Sequence, residues 1–436
     1  MAVERSGVAS AGQRLIWLLE RYGGEGGALH VCGAYRLRGV VDVGALVAAT
    51  GAVVDRHEGL RSTFARSGHE LTQFVHAAAD RPDDVVRVVD VAAGDLAGAV
   101  EGEYRRRFDL AAQWPVRFRL FRLSEAESVL VLYVHHIVTD GWSMAVIADD
   151  LKSFYDLRTG RSEQVAEAPV WHPIDVAEWQ RRRIEDGALA VKTARWREVL
   201  GAGQPVSVPA VLEDPAPVGG GERGVLRYEM PAAFAGVLRE IARQERSTFF
   251  AVLLGAFAGY LGRCAGEDRV LLPAVFADRS NRRVRRTVGF LINLLLVPIE
   301  VADKDFGELV RHARTVVFDA IANQEVPYHT VPMPAGVRGG RRQPEVLFEY
   351  GSIDVEYMNV PGRTVQLSGV EVEPYEEVAF TATPFAVEFH FGDVADGLHV
   401  KCLYRIERTS AAALTRFLDG FVAYVGAAAS GYTVAS

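Results

Sequence analysis

Two mixed α/β (α+β) lobes packed side by side are the fold class this sequence predicts. Three observations carry that expectation. The chain has 436 residues, more than one ordinary core organises and enough for two. Helix-like and strand-like segments are mixed in both halves. No repeat of fixed period is visible, which removes solenoids and propellers.

From Asp42 to Leu60 the apolar residues Val43, Leu46, Val47, Val53 and Val54 recur at helical spacing, with Asp42 placed as the N-cap. Val116 to Leu123 mixes apolar residues and arginines, Ser124 to Ser128 is a polar turn, and Val129 to Val134 is unbroken apolar. That pair predicts a hairpin whose second strand is buried on both faces. Beyond Gly141, Met144, Ile147, Leu151 and Phe154 form one apolar helical stripe. A polar helix is expected from Glu178 to Leu200. A surface linker or crossover, dense in Pro and Gly, should follow from Gln204 to Arg223. Thr248 to Leu261 predicts a buried helix, Val270 to Phe276 a strand, Val288 to Val301 an apolar strand region, and Ser410 to Val425 a helix.

Composition excludes several classes. Hydrophobic residues make up 49% and charged residues 24%, the balance of an ordinary globular protein. A formal net charge of −8 gives no nucleic-acid-binding footprint. Cys32, Cys264 and Cys402 are far apart and show no metal-ligand spacing, so no structural metal site is expected and a reducing compartment is. Neither a signal peptide nor an apolar run of about 18 residues is found, making the cytoplasm the expected location.

The chemistry concentrates where the buried strand ends. His135 and His136 are adjacent there, so their side chains point to opposite faces; one can serve a cleft while the other turns inward. Asp140 and Gly141 then open a helix whose first N–H groups are orphan donors with partial positive charge. A base beside an oxyanion donor is the equipment of acyl transfer. A lone histidine at a strand end is usually structural. Two adjacent ones with Asp-Gly close behind favour catalysis.

The run His135-His136-Ile137-Val138-Thr139-Asp140-Gly141, continuing Trp142-Ser143, resembles the central motif of the condensation-domain superfamily, which also holds chloramphenicol acetyltransferase-like and polyketide-associated acyltransferases. Ser10-Ala11-Gly12-Gln13-Arg14 with Trp17 resembles the opening motif, and Arg56 to Phe64 the second. Ile174 to Gln180 resembles the motif between the lobes, with Pro173 where an aromatic is usual. Val288-Gly289-Phe290-Leu291-Ile292-Asn293 and Asn323-Gln324-Glu325-Val326-Pro327-Tyr328 resemble two later ones. The matches run in order from about residue 8 to the C-terminus.

The resemblance implies a free-standing condensation enzyme of the nonribosomal-peptide type. Its fold would be a V-shaped pseudo-dimer of two acetyltransferase-like lobes, 1–172 and 173–436, with the active site in the cleft. Separate carrier proteins would present substrates there on phosphopantetheine. No bound cofactor or metal is implied, and the chain is expected to be a monomer. The reaction would join a carrier-bound acyl or aminoacyl thioester to an amine or hydroxyl acceptor. By the same resemblance His136 holds the catalytic position and the Gly141 amide is the oxyanion-side donor. His135 and Asp140 are architectural, with Arg279 paired to Asp140. Candidate substrate contacts are Trp142, Ser143, Tyr350, Ser352, Thr383 and Phe385. His57 is expected to pack and hydrogen-bond. Two other readings stay open: a coenzyme-A-dependent acyltransferase of the same superfamily, and a non-catalytic module that docks carrier proteins or other partners. Neither donor nor acceptor is identified by the sequence.

Overall fold

The computed structural model describes residues 2–22, 29–68, 70–214, 223–277, 279, 281–326, 330–332, 342–350, 367–378, 383–394 and 397–430. In chain order the first part contains β1 (Val3–Val8), α1 (Ala11–Tyr22), β2 (His30–Arg38), α2 (Val43–Arg56), β3 (Ser62–Ser67), β4 (Glu70–His76), β5 (Val86–Asp90), α3 (Leu96–Arg105), β6 (Val116–Arg122), β7 (Glu127–His135), α4 (Gly141–Arg158) and α5 (Pro173–Glu185). The remainder contains α6 (Ala190–Leu200), β8 (Arg223–Glu229), α7 (Ala232–Gln244), α8 (Phe249–Ala265), β9 (Arg269–Ala277), β10 (Ile292–Glu300), α9 (Phe306–Ala322), β11 (Val346–Tyr350), β12 (Glu371–Pro374), β13 (Val387–Val394), β14 (Gly397–Arg405) and α10 (Ala411–Ser430).

The chain forms two compact units, each with its own hydrophobic core. The first combines residues 1–186 with 277–292 and 354–382. It holds a five-stranded sheet in the order β12-β2-β7-β6-β5 and a three-stranded sheet in the order β1-β4-β3. β7 lies between β2 and β6, antiparallel to both, and every residue from Ser128 to His135 is buried. The expected hairpin is therefore present, but its first strand is less simple than its alternation suggested. Arg117 and Arg119 of β6 are buried, with Arg119 held by Asp84 at 2.8 Å and Glu103 at 3.0 Å, and Arg117 lying 3.9 Å over the Phe108 ring.

The second unit combines residues 187–276, 293–353 and 383–436. Its six-stranded sheet runs β10-β9-β11-β13-β14-β8. α8 is the buried helix expected from Thr248, whose side chain caps it through the Ala251 N–H at 3.2 Å. Phe257 of α8 packs against Phe348, Phe389 and Phe391 of β11 and β13.

Three expectations need correction. The boundary at 172/173 fails because α5 belongs to the first unit: Asp175 pairs with Arg5 of β1 at 2.7 Å and Ile174 packs against Gly7. Residues 277–292 also return to that unit, because Val288 and Phe290 are buried in its core; β10 starts only at Ile292. The single helix expected over 178–200 is two helices, α5 and α6, parted at Gly187, whose positive φ of 71° favours glycine. The expected linker is packed over its described first part, since Val206, Val208 and Leu212 are buried in the second core. Gly219 to Gly221 lie outside the described residues.

Candidate active site

β7 carries His135 to the end of the central strand. A 3-10 turn, His136–Val138, then reverses the chain into the N-terminus of α4. The two imidazoles divide as their adjacency predicts: His135 is fully buried and His136 half-buried. The Ile137 N–H donates to His135 Nδ1 at 3.0 Å, so that nitrogen carries a lone pair and the ring proton is on Nε2. His135 Nε2–H donates to Glu20 Oε2 of α1 at 2.7 Å. Both ring nitrogens are thereby committed to holding the turn.

His136 has the complementary tautomer. Its Nδ1 lies 2.7 Å from the Thr139 carbonyl oxygen, which can only accept, so Nδ1 carries the proton. In the neutral ring Nε2 is then the basic nitrogen, and a backbone group orients it. The Phe290 ring meets the imidazole edge to face, with centroids 5.1 Å apart.

Asp140 caps α4 and organises what surrounds it. Its fully buried carboxylate accepts from the Ser143 N–H at 2.8 Å, the Ser143 hydroxyl at 2.7 Å and the Leu291 N–H at 3.0 Å. Arg279 Nη2 reaches both carboxylate oxygens, at 2.9 and 2.8 Å. The other terminal nitrogen of Arg279 donates to the carbonyls of Val284 at 2.8 Å and Thr287 at 2.6 Å. The Asp140–Arg279 pair expected from sequence is therefore present and buried. The amides of Gly141 and Trp142 open α4 and have no intrahelical acceptor, which leaves donors for a developing negative charge beside His136.

The first two motifs build the support beneath. Ser10 and Gln13 cap the start of α1 reciprocally at 2.9 and 3.1 Å, and Gln13 passes the network to Gln73 at 3.1 Å and on to Ser62 at 2.8 Å. His57 Nε2 lies 2.7 Å from Asp150 Oδ2 on α4, and Arg56 Nη1 is 3.0 Å from Oδ1. Burial pulls the His57 pKa below its usual value despite the hydrogen bond to Asp150. This is the packing and bonding role expected for His57.

A family model described as the condensation domain matches residues 4–434. The chain belongs to the condensation-domain family. It is 32% identical over 330 residues to a linear gramicidin synthase of Brevibacillus parabrevis, covering 73% of this chain and 6% of the relative. It is 35% identical over 332 residues to the isonitrile lipopeptide synthase of Mycobacterium tuberculosis strain H37Rv, covering 74% of this chain and 13% of the relative. It is 32% identical over 402 residues to the beauvericin nonribosomal cyclodepsipeptide synthetase of Gibberella fujikuroi, covering 90% and 12%. This condensation domain thus spans only a small part of the relatives' length. The X-domain from teicoplanin biosynthesis superposes with a TM-score of 0.83 at 24% identity, covering 99% of this chain and 97% of that one. The condensation domain from the monacolin K polyketide synthase gives 0.77 at 21%, covering 99% of both. These likenesses establish the shared fold.

The condensation domain does not bear out every expected substrate contact. Ser143 is fully buried, and its hydroxyl is used by Asp140 and by the Gly289 carbonyl at 2.9 Å, so it supports the cap and cannot face a ligand. Trp142 is 45% exposed, with its indole N–H bound to the Arg285 carbonyl at 2.8 Å. In the second unit Thr383 is 1% exposed; its hydroxyl donates to Glu388 and accepts from the Phe385 N–H at 3.0 Å. That removes Thr383 as a contact and fixes the backbone at Phe385. Tyr350 packs against Phe249 with the rings tilted and their centroids 5.3 Å apart, and its hydroxyl donates to Asp393 at 2.6 Å. Ser352 lies outside the described residues.

Sequence reading missed Glu20, Thr139, Leu291 and Asp150. Thr139 and Leu291 act through the backbone, which leaves no side-chain signature. Glu20 and Asp150 sit on helices far from their partners in sequence, at separations of 115 and 93 residues. Of the two later motifs, Asn293 Nδ2 donates to the carbonyls of Gln324 at 2.6 Å and Val326 at 3.1 Å, which ties one motif to the other inside the second unit.

Proposed function

We propose that this chain catalyses acyl transfer from a carrier-bound thioester to an amine or hydroxyl acceptor, with His136 as the base. The hydrogen bond from His136 Nδ1 to the Thr139 carbonyl supports this reading most, because it orients the ring and leaves Nε2 as the basic nitrogen. Condensation domains work on substrates carried on phosphopantetheine, and the relatives named above include a peptide and a depsipeptide synthetase.

In the proposed step the acceptor nitrogen or oxygen adds to the thioester carbonyl, and Nε2 takes the acceptor proton. Negative charge on the former carbonyl oxygen is met by the free N–H groups at the start of α4. Collapse restores the carbonyl and breaks the carbon–sulfur bond, and the His136 imidazolium returns its proton to the leaving carrier thiolate. No covalent enzyme intermediate is needed, since the thioester is already activated. Orientation supplies several kcal/mol and the base about 10²–10⁴-fold.

The base should matter more for an alcohol. An α-amine has a reference pKa of about 8 and is partly neutral at pH 7, whereas an alcohol becomes nucleophilic only as its proton leaves. His136→Ala should therefore cost more with an alcohol acceptor than with the matching amine, assayed on one acyl-carrier donor. Equal losses would refute that assignment. Absence of turnover by the unaltered protein on any acyl-carrier donor would favour a docking module instead.

A further inference from the structure

We propose that the surface around Trp142, Trp171, Arg282, Arg283 and Arg285 of the first unit docks the acidic face of the donor carrier protein. This rests on the acyl-transfer reading above and adds where the donor is received. The patch begins with a row of arginine and tryptophan side chains. Arg183 lies 5.2 Å over the Trp179 ring, the Trp179 and Trp171 rings lie 5.9 Å apart and tilted by 49°, and Arg283 lies 5.2 Å over the Trp171 ring. Backbone bonds hold it together: the Trp171 N–H donates to the Arg283 carbonyl at 3.3 Å, and the Thr287 hydroxyl to the Trp171 carbonyl at 2.7 Å. The same segment holds Trp142 through the Arg285 carbonyl.

Charge argues for an anionic partner. Arg279 and Arg286 of this segment are consumed by Asp140, Asp149 and Asp150. Arg282, Arg283 and Arg285 are exposed, and among the described residues none has a carboxylate partner. Three like charges within four positions repel one another, a cost that an anionic partner would relieve. In a chain of net charge −8 they make a local exception to the prevailing sign. Tryptophan and arginine are also the residues that dominate binding energy at protein interfaces, and Trp142 offers 45% of its surface.

Position selects the carrier among acidic partners. Trp142 directly follows Gly141, so a protein seated on this patch stands at the first turn of α4, beside His136. A carrier protein with acidic side chains and a phosphodiester at the root of its arm meets both requirements. Its charges match the arginines, and its thioester is delivered where the proposed base is.

The test uses the full chain and fluorophore-labelled, phosphopantetheinylated carrier domains of nonribosomal peptide synthetases, titrated at 50 and 200 mM salt. The triple variant R282E/R283E/R285E should raise Kd about thirtyfold and flatten the salt dependence. Trp142→Ala should weaken binding without changing the salt slope, which separates packing from charge. Arg158→Glu, at the far end of α4, should stay within twofold of the unaltered protein. Melting temperature checks that each variant folds. A Kd unmoved by the triple variant, with the unaltered protein still turning over donor, overturns the location and leaves the acyl-transfer reading intact. Neither binding nor turnover by the unaltered protein overturns both. Tighter, arginine-dependent binding of a labelled single-stranded oligonucleotide than of any carrier domain overturns the choice of partner.

Discussion

Replacing Asp140 by Asn and Arg279 by Met, singly and together, measures how far the site depends on one buried pair. In Asp140→Asn the carboxamide oxygen can fill only one of the two carboxylate positions. If it keeps the Ser143 bonds, the amide NH2 faces the Leu291 N–H and Arg279 Nη2, donor against donor. Arg279 is buried and loses its counter-charge, so the substitution should cost about 4 kcal/mol. Arg279→Met leaves Asp140 with the Ser143 and Leu291 donors but uncompensated, and takes the guanidinium donor from the Thr287 carbonyl; the Val284 carbonyl keeps the Thr287 N–H at 3.1 Å. That should cost about 3 kcal/mol. The double variant removes both charges, so no isolated ion remains, and it should cost about 4 kcal/mol rather than the sum of about 7. The coupling of about 3 kcal/mol would be read from guanidinium unfolding followed by tryptophan fluorescence. Costs that add to within about 0.5 kcal/mol would refute the reasoning, because the pair would then be two independent hydrogen-bonded groups.

Other predictions are simpler. His136→Ala should lower kcat by about 10²–10⁴-fold while shifting unfolding by less than about 1 kcal/mol, since the ring is half-buried and water can replace its bond to the Thr139 carbonyl. Glu20→Ala leaves the His135 Nε2–H buried without its acceptor and should destabilise by about 2 kcal/mol; denaturant unfolding checks it. Burial opposes charge on His390, but Glu349 at 3.1 Å and Glu388 at 2.7 Å outweigh it and hold the imidazole at about 10. A raised histidine stabilises fully below its unfolded value of about 6.5 and loses that contribution as pH rises towards 10. The stability gap between the unaltered protein and His390→Asn should therefore narrow across that window. His30 is the opposite case, pulled down to about 3 by burial and by the neighbouring His135 and Arg117. His30→Gln should retain relatively more stability than the unaltered protein as pH falls from about 6.5 towards 3.

How much was legible follows from where the information sits. Asp42 could be read as a cap because capping is local, and the structure shows its side chain accepting from the third residue on; Thr248, read only as the start of a helix, caps in the same way. β7 could be read because a strand buried on both faces needs an unbroken apolar run. His136 and Asp140 were visible as a motif, and Arg279 through family resemblance. Most outer strands gave no signal: β8 and β12 have mixed burial and are specified by the strands they join. The membership of 277–292 was also hidden, since Val288 and Phe290 look alike whichever core they fill. Ser143 was misread because a hydroxyl beside a catalytic motif suits a ligand or a cap equally well. Only the distances to Asp140 and Gly289 decide between them.

The segment 277–292 does more than supply one arginine. It grips α4 at two levels, through Arg279 on Asp140 and through Arg286 on Asp149 and Asp150, about 14 Å further along the helix axis. Two charge pairs so spaced prevent the segment from sliding or pivoting on the helix, which a single pair would allow. Phe290 and Leu291 follow directly after this double anchor, and they are the residues that meet the His136 ring and the Asp140 carboxylate. The geometry of the proposed base is thus set from a stretch far downstream in the chain. His135 and Glu20 secure the other side of the same turn. A short motif marks the place, but its tautomer and orientation depend on both of these supports, so weakening either should impair chemistry without touching His136.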